Sequence, residues 1–133
     1  MTGADIIGAL LTANGPLIEV VPADRIKEDR LPDQAELPAL LVRTVSSLDR
    51  QPLKRGAMVR ENDRIAVTVR ANSVRERKAV LALVRACCAG VVGDVGGGKA
   101  VAITTAGRGP TVNGPGNSFE QTQDFRVSHD APA

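Results

Sequence analysis

The chain has 133 residues, 43% hydrophobic and 24% charged, with a formal net charge of +2; this is the composition of one folded, soluble domain and excludes a disordered chain. Phe119 and Phe125 are the whole aromatic complement, so surfaces that stack single-stranded bases or sugars on Trp and Tyr rings are excluded. No run of about 18 apolar residues is present to span a membrane.

The first residues, Met1 to Asn14, lack a basic leader and carry Asp5, so they do not read as a signal peptide and a cytosol-like compartment is expected. Asp5 to Ala13 carries Ile6, Ile7, Leu10 and Leu11 at the spacing of an amphipathic helix, with Thr2 or Asp5 as its cap and Asn14-Gly15-Pro16 as its stop. From Pro16 to Pro38 the pattern breaks up. An apolar patch from Leu17 to Val21 precedes a charged stretch between Pro22 and Pro32, which reads as a long ordered connection across one edge of the domain.

Ala39 to Ser46 is β-branched enough for a strand, its preceding Pro38 at a tolerated position. Arg64 to Ala71 is a second strand, where Ile65, Val67 and Val69 alternate with Arg64, Thr68 and Arg70. Between them, Ser47 to Asp63 is basic, contains Pro52 and Gly56, and reads as an extended hairpin arm joining two antiparallel strands. Ser73 with Glu76 forms a capping box for a helix whose buried stripe is Val80, Leu83, Val84 and Cys87, with Arg75, Lys78 and Arg85 opposite and Gly90 at its end. A glycine-rich turn from Gly93 to Gly98 leads to a third strand, Ala100 to Thr105. A Gly/Pro-rich loop then leads to a fourth, Phe119 to Ser128, and His129 to Ala133 reads as a frayed tail. The order predicts a single α+β domain over 1–133: a mainly antiparallel four-stranded sheet with two helices packed on one face and a long hairpin arm between strands 1 and 2.

The chemical motifs are weak. Gly93 to Lys99 satisfies the G-x-x-x-x-G-K spacing, but a helix precedes it, a strand follows it, and Ala100 stands where a magnesium-binding hydroxyl belongs, so it reads as a flexible turn and not a phosphate loop. His129 is the single histidine; with no activated nucleophile beside it, it reads as a strand-end surface residue. Cys87 and Cys88 are neighbours on a helix, diverge by about 100 degrees, and read as reduced core residues. One histidine and two adjacent cysteines make no zinc set. No catalytic, cofactor or metal residue is assigned, and no enzyme is expected.

Charge distribution says more than its total. Residues 1–42 hold three basic against seven acidic groups, residues 43–85 eleven against four, and residues 86–133 three against four. The basic middle holds the arm, Arg50, Lys54, Arg55 and Arg60, which Arg64 and Arg70 on the outward strand face extend. Such a surface suits a phosphate contact, a docking loop for another chain, or a subunit whose acidic side meets the basic side of an identical neighbour.

An N-terminal helix, the D-R-I element Asp24-Arg25-Ile26, the acidic run to Leu37-Pro38, two strands, the helix V-R-E-R-K-A-V-L-A-L-V-R-A and the closing D-F-R-V of Asp124 to Val127 together resemble the tail completion, or tail terminator, proteins of long-tailed phages, prophages and gene transfer agents. The resemblance runs from about residue 4 to residue 128; this chain has Ala39 to Val42 where many of those proteins carry an aromatic after L-P. It implies a small α+β subunit of the virion, made in the host cytoplasm, that closes as a ring of typically six copies on the head-proximal end of the tail tube. Such a ring ends tube polymerisation and meets the head-tail connector or stopper, with DNA only passing through it and no membrane involved. On this reading Arg50, Lys54, Arg55, Arg60, Arg64 and Arg70 lie at subunit contacts or line the ring opening. The alternatives are a DNA-binding accessory protein using Arg75, Lys78 and Arg85, or another connector such as an adaptor or stopper.

Overall fold

The computed structural model describes residues 2–50 and 52–132. Helix α1 (Gly3–Ala13) starts at a capping box: the Thr2 hydroxyl accepts from the Asp5 amide, and the Asp5 carboxylate accepts from the Thr2 amide. Its apolar stripe, Ile6, Ile7 and Leu11, is fully buried. The Asn14-Gly15-Pro16 stop is also a start. The Asn14 side chain caps a second helix, α2 (Gly15–Val20), by accepting from the Leu17 amide at 3.0 Å, and Pro16 sits in the first turn, where its missing N–H costs nothing.

The connection up to Pro38 contains a short 3₁₀ turn and a three-residue strand, β1 (Ile26–Glu28), that pairs in parallel with the start of β2 (Ala39–Arg50). β2 and β3 (Met58–Ala71) are antiparallel over almost their whole length, so the expected arm is itself sheet and only residues 52–57 of it are described as connection. Helix α3 (Val74–Cys88) is capped by Ser73, which accepts from the Glu76 amide; the Glu76 carboxylate takes the Asn72 amide, one residue before the cap. Gly90, at φ +77°, follows its last turn and donates to the Ile103 carbonyl. β4 (Val92–Gly93), β5 (Lys99–Arg108), β6 (Val112–Asn113) and β7 (Phe119–Pro132) complete the chain.

The expectation of four strands and two helices is therefore too small. The described residues form three helices and a seven-stranded mixed sheet in the order β1-β2-β3-β7-β5-β4, with β6 on β7. The four long strands are the antiparallel centre that alternation predicts; β1 makes the sheet mixed. Residues 129–132 are also corrected: far from fraying, they continue β7 along β3, from Glu61↔His129 to Met58↔Pro132.

All three helices contribute to one apolar cluster with the inward face of the sheet. Ile6, Ile7, Leu11 and Leu17 meet Leu40, Ile65, Val67, Ile103, Phe125 and Val127, and from α3 Val80, Val84 and Cys88. Burying each of the large side chains contributes about 1.5–3 kcal/mol. Cys87 and Cys88 are both free, as read, and the Cys87 thiol donates to the Leu10 carbonyl at 3.3 Å. The glycine-rich turn is a packing device. A Cβ at Gly96 would stand 2.9 Å from the Ile6 carbonyl, and one at Gly98 2.6 Å from Ile6 Cδ1, so glycine lets the turn close down on α1. Among the described residues no helix is long and apolar enough to cross a membrane.

Candidate interaction surface

The basic arm is built by one irregularity in register. Up to Thr44 the even residues of β2 face the core, with Leu40 opposite Val69 and Val42 opposite Val67. The register shifts between Thr44 and Ser46, so that Ser47 pairs with Asp63 and Arg50 with Arg60. A bulge of this kind exchanges the two faces of a strand. Ser46, Leu48 and Arg50 thereby share the outward face with Arg60, Asn62 and Arg64. β7 supplies the third strand of the arm through the residues expected to fray, with Asp130 opposite Arg60 and Ser128 opposite Asn62.

Six basic residues were singled out from sequence, and the structure divides them in half. Arg60 donates to Asp130 at 3.1 Å and to the Ala100 carbonyl at 2.6 Å. Arg64 holds Asp124 at 2.9 Å and the Ala106 carbonyl at 3.0 Å. Arg70, only 7% exposed, bonds Glu120 at 2.6 Å and the Pro32 carbonyl at 2.9 Å. These three guanidiniums are rungs across β3 and β7, with the Thr68–Thr122 hydroxyl pair at 2.8 Å between them. Arg50, Lys54 and Arg55 form no ion pair among the described residues and stand exposed at the arm's end.

The same arm exposes apolar side chains. Val45, Leu48, Leu53 and Met58 are each more than two-fifths exposed, and Leu53 is fully so. β1 covers the edge of β2 only as far as Val42, so from Arg43 to Arg50 the strand is a bare edge. A cavity of about 350 Å³ between Leu48, Arg50, Arg64 and Arg126 opens on the outward face. A bare strand edge with exposed aliphatic groups and free cations can bind another polypeptide by strand pairing, aliphatic contact and ion pairing together.

On its inward side the arm is tied to α1. Asp63, 3% exposed, accepts the Gly3 amide at 2.8 Å, takes a hydrogen bond from the Ser47 hydroxyl, and lies 3.3 Å from His129 Nε2. A carboxylate only accepts, so the imidazole donates. His129 is 1% exposed, not the surface residue expected, because β7 continues past it; Glu61 lies 3.5 Å from the same nitrogen. Glu61, Asp63 and His129 bring three metal-ligating atoms within 4.8 Å of one another. The Asp63 oxygens are already occupied by donors from the backbone and Ser47, which is the arrangement of a structural tie.

Sequence reasoning missed one further cluster. Arg77 of α3, which the helix pattern did not single out, is 7% exposed, and Arg77, Lys78, Arg85 and Arg108 line a cavity of about 370 Å³ between α3 and the end of β5. The local pattern marks Lys78 and Arg85 as basic, but only the fold brings Arg108 to them.

No protein-family model matches the chain, and no curated protein matches it. Among solved structures it is similar to a chain of the virion of a native gene transfer agent particle. The alignment covers 97% of this chain and 95% of that one, with a TM-score of 0.69 at 12% identity. At that identity the likeness establishes a common fold over nearly the whole of both chains.

Proposed function

We propose that the chain is a structural subunit of a phage-like virion or gene transfer agent particle, and that it closes the head-proximal end of the tail tube as a ring. The observation that carries this reading is the end-to-end likeness to a virion chain, 97% of one and 95% of the other. A likeness over nearly the whole of both chains favours a comparable part in a particle. The arm supports it independently: exposed Leu48, Leu53 and Met58 beside free Arg50, Lys54 and Arg55 form a surface suited to assembly. On this reading the arm's cations, with Arg60 and Arg64 behind them, sit at subunit contacts or face the opening through which DNA passes, while Arg70, buried at the other end of β3, serves the fold. The ring is hexameric, its lower surface meets the tail tube protein, and its upper surface meets the connector or stopper.

Electron microscopy of particles carrying a tagged copy tests this directly. A tagged ring at the neck end of the tube, and tubes of uncontrolled length when the gene is deleted, are the expected results. A tag on the capsid, the baseplate or the connector itself refutes the terminator role. Reversing Arg50, Lys54 and Arg55 to Glu together, with ring closure and head joining unchanged, refutes the part assigned to the arm.

A further inference from the structure

The α3 cavity carries an inference that the arm does not. Four cations, Arg77, Lys78, Arg85 and Arg108, line it, and no carboxylate is among its lining residues. None of the four forms an ion pair among the described residues. Arg77 is more than nine-tenths buried, yet its Nε has no hydrogen-bond partner, and the buried Nε of Arg85 has none either. Buried guanidinium nitrogens are almost always satisfied, and like charges held together repel one another. A site with both features is completed by an anion from outside the subunit.

The opposite edge of the sheet is its complement. Asp24, Glu28, Asp29 and Asp33 surround β1, the first strand in the sheet order; all four are exposed, none forms an ion pair among the described residues, and they outnumber the two exposed and equally unpaired cations of the same segment, Lys27 and Arg30. The cavity lies toward the other end of that order, where Arg108 closes β5. One subunit thus presents unpaired carboxylates at one edge and an unfilled cationic cavity toward the other, the polarity of a heterologous, head-to-tail contact.

We infer that the cavity of Arg77, Lys78, Arg85 and Arg108 receives carboxylate side chains from the β1 edge of a second copy of this chain. The inference rests on the ring reading for its setting. A protruding Asp or Glu fits a recess with a buried guanidinium at its wall, where planar two-point pairing of carboxylate by Arg is strong. Duplex phosphates lie on a wide cylinder and call for a broad, exposed basic face; Arg77 is withdrawn from such a face.

Carbodiimide crosslinking joins Lys78 only to a carboxylate in direct contact, so the test uses full-length protein in assembled particles and in concentrated solution, with isotope-mixed copies to identify links between chains. Lys78 linked to Asp24, Glu28, Asp29 or Asp33 of another copy is the expected result. Arg85→Glu with Arg108→Glu removes that link and weakens self-association by at least about tenfold, and adding Glu28→Lys with Asp29→Lys restores it. These positions are exposed or half-buried, which spares the fold; Arg77 is left intact. Rings that form normally with no Lys78 link, or that tolerate the double reversal, overturn the cavity assignment and leave the ring reading standing. Absence of any ring at the tail neck overturns the ring reading, whereas a Lys78 link found in solution supports the cavity in its own right. If the double reversal abolishes binding to duplex DNA and leaves self-association unchanged, the cavity is a phosphate site and the inference fails.

Discussion

Asp63→Ala cuts the tie between the arm and α1. The substitution removes a buried acceptor used by the Gly3 amide, the Ser47 hydroxyl and the His129 ring, and each hydrogen bond to a charged group contributes about 1.5–3 kcal/mol. The sum overstates the loss, because the carboxylate of a 3% exposed residue also loses hydration on folding. Breaking a buried polar set by deleting one partner costs about 3–5 kcal/mol, and that is the expected destabilisation. It is a large share of the roughly 5–15 kcal/mol that holds a domain folded. For a chain of this size it lowers Tm by about 10–20 °C. Far-UV circular dichroism during urea unfolding is the assay, since the chain has no Trp or Tyr for fluorescence. Gly3→Ala attacks the same contact from the helix side, where the new Cβ would lie 2.6 Å from Asp63 Oδ2. The two losses are therefore expected to be far from additive in the double variant. A cost below about 1 kcal/mol for Asp63→Ala, or full additivity with Gly3→Ala, would refute the tie.

Three further outcomes follow from local geometry. Gly96→Ala forces a side chain onto φ +59° and to 2.9 Å from the Ile6 carbonyl, so it destabilises by about 1–3 kcal/mol; Gly8→Ala, inside α1 with nothing within 4 Å of the new Cβ, stabilises by about 0.5–1 kcal/mol, and urea midpoints of the two variants move in opposite directions. The Thr2 amide and hydroxyl hold the Asp5 carboxyl below its ordinary value of 3.8; its contribution is therefore complete above that value and is lost as pH falls through the lowered one, so Asp5→Asn flattens the acid limb of the stability curve. The neighbouring Cys87 sulfur, with burial, pushes the Cys88 thiol above its ordinary range, so native protein treated with iodoacetamide is alkylated at Cys87 before Cys88, read by peptide mass spectrometry; equal labelling of both contradicts the packing of α3.

Elements whose signals are local were legible in the sequence. The Thr2 and Ser73 caps, the alternation of Ile65, Val67 and Val69, and the Ile6, Ile7 and Leu11 part of the α1 stripe depend on residues within a turn or a strand of one another and appear where expected, whereas the α3 stripe is rotated: Leu81 and Cys88 are buried beside Val80 and Val84, and the expected Leu83 and Cys87 are only half-buried. Elements held by distant partners were not. β1 is three residues long and exists through its parallel pairing with Leu40, Leu41 and Val42. Residues 129–132 continue a parity of Phe125, Val127, His129 and Ala131 that a histidine disguises, and only Met58 to Glu61 across the ladder makes them a strand. Asn14-Gly15-Pro16 ends one helix and begins the next, because the same residues serve as C-cap, N-cap and first-turn proline. The arm's alternation is scrambled by the shift between Thr44 and Ser46, so counting in twos from either strand misassigns its faces.

The same distinction governs the candidate site. Arg60, Arg64 and Arg70 look like free cations in the sequence because their carboxylates lie 50 to 70 residues away on β7. Once β3 and β7 are in register, the acidic groups of the last third neutralise half of the basic patch in the middle third. Besides the exposed Arg43 and Arg75, what survives gathers in two places, Arg50, Lys54 and Arg55 at the end of the arm and Arg77, Lys78 and Arg85 at the α3 cavity, where Arg108 of the last third joins them. Among the described residues, the acidic excess of the first third undergoes no such cancellation beyond Arg25 with Glu36 at 2.8 Å. Folding therefore sharpens the charge asymmetry along the chain into separate unpaired surfaces. Exposed charges add little to the stability of an isolated fold, so these surfaces are free to act outside it.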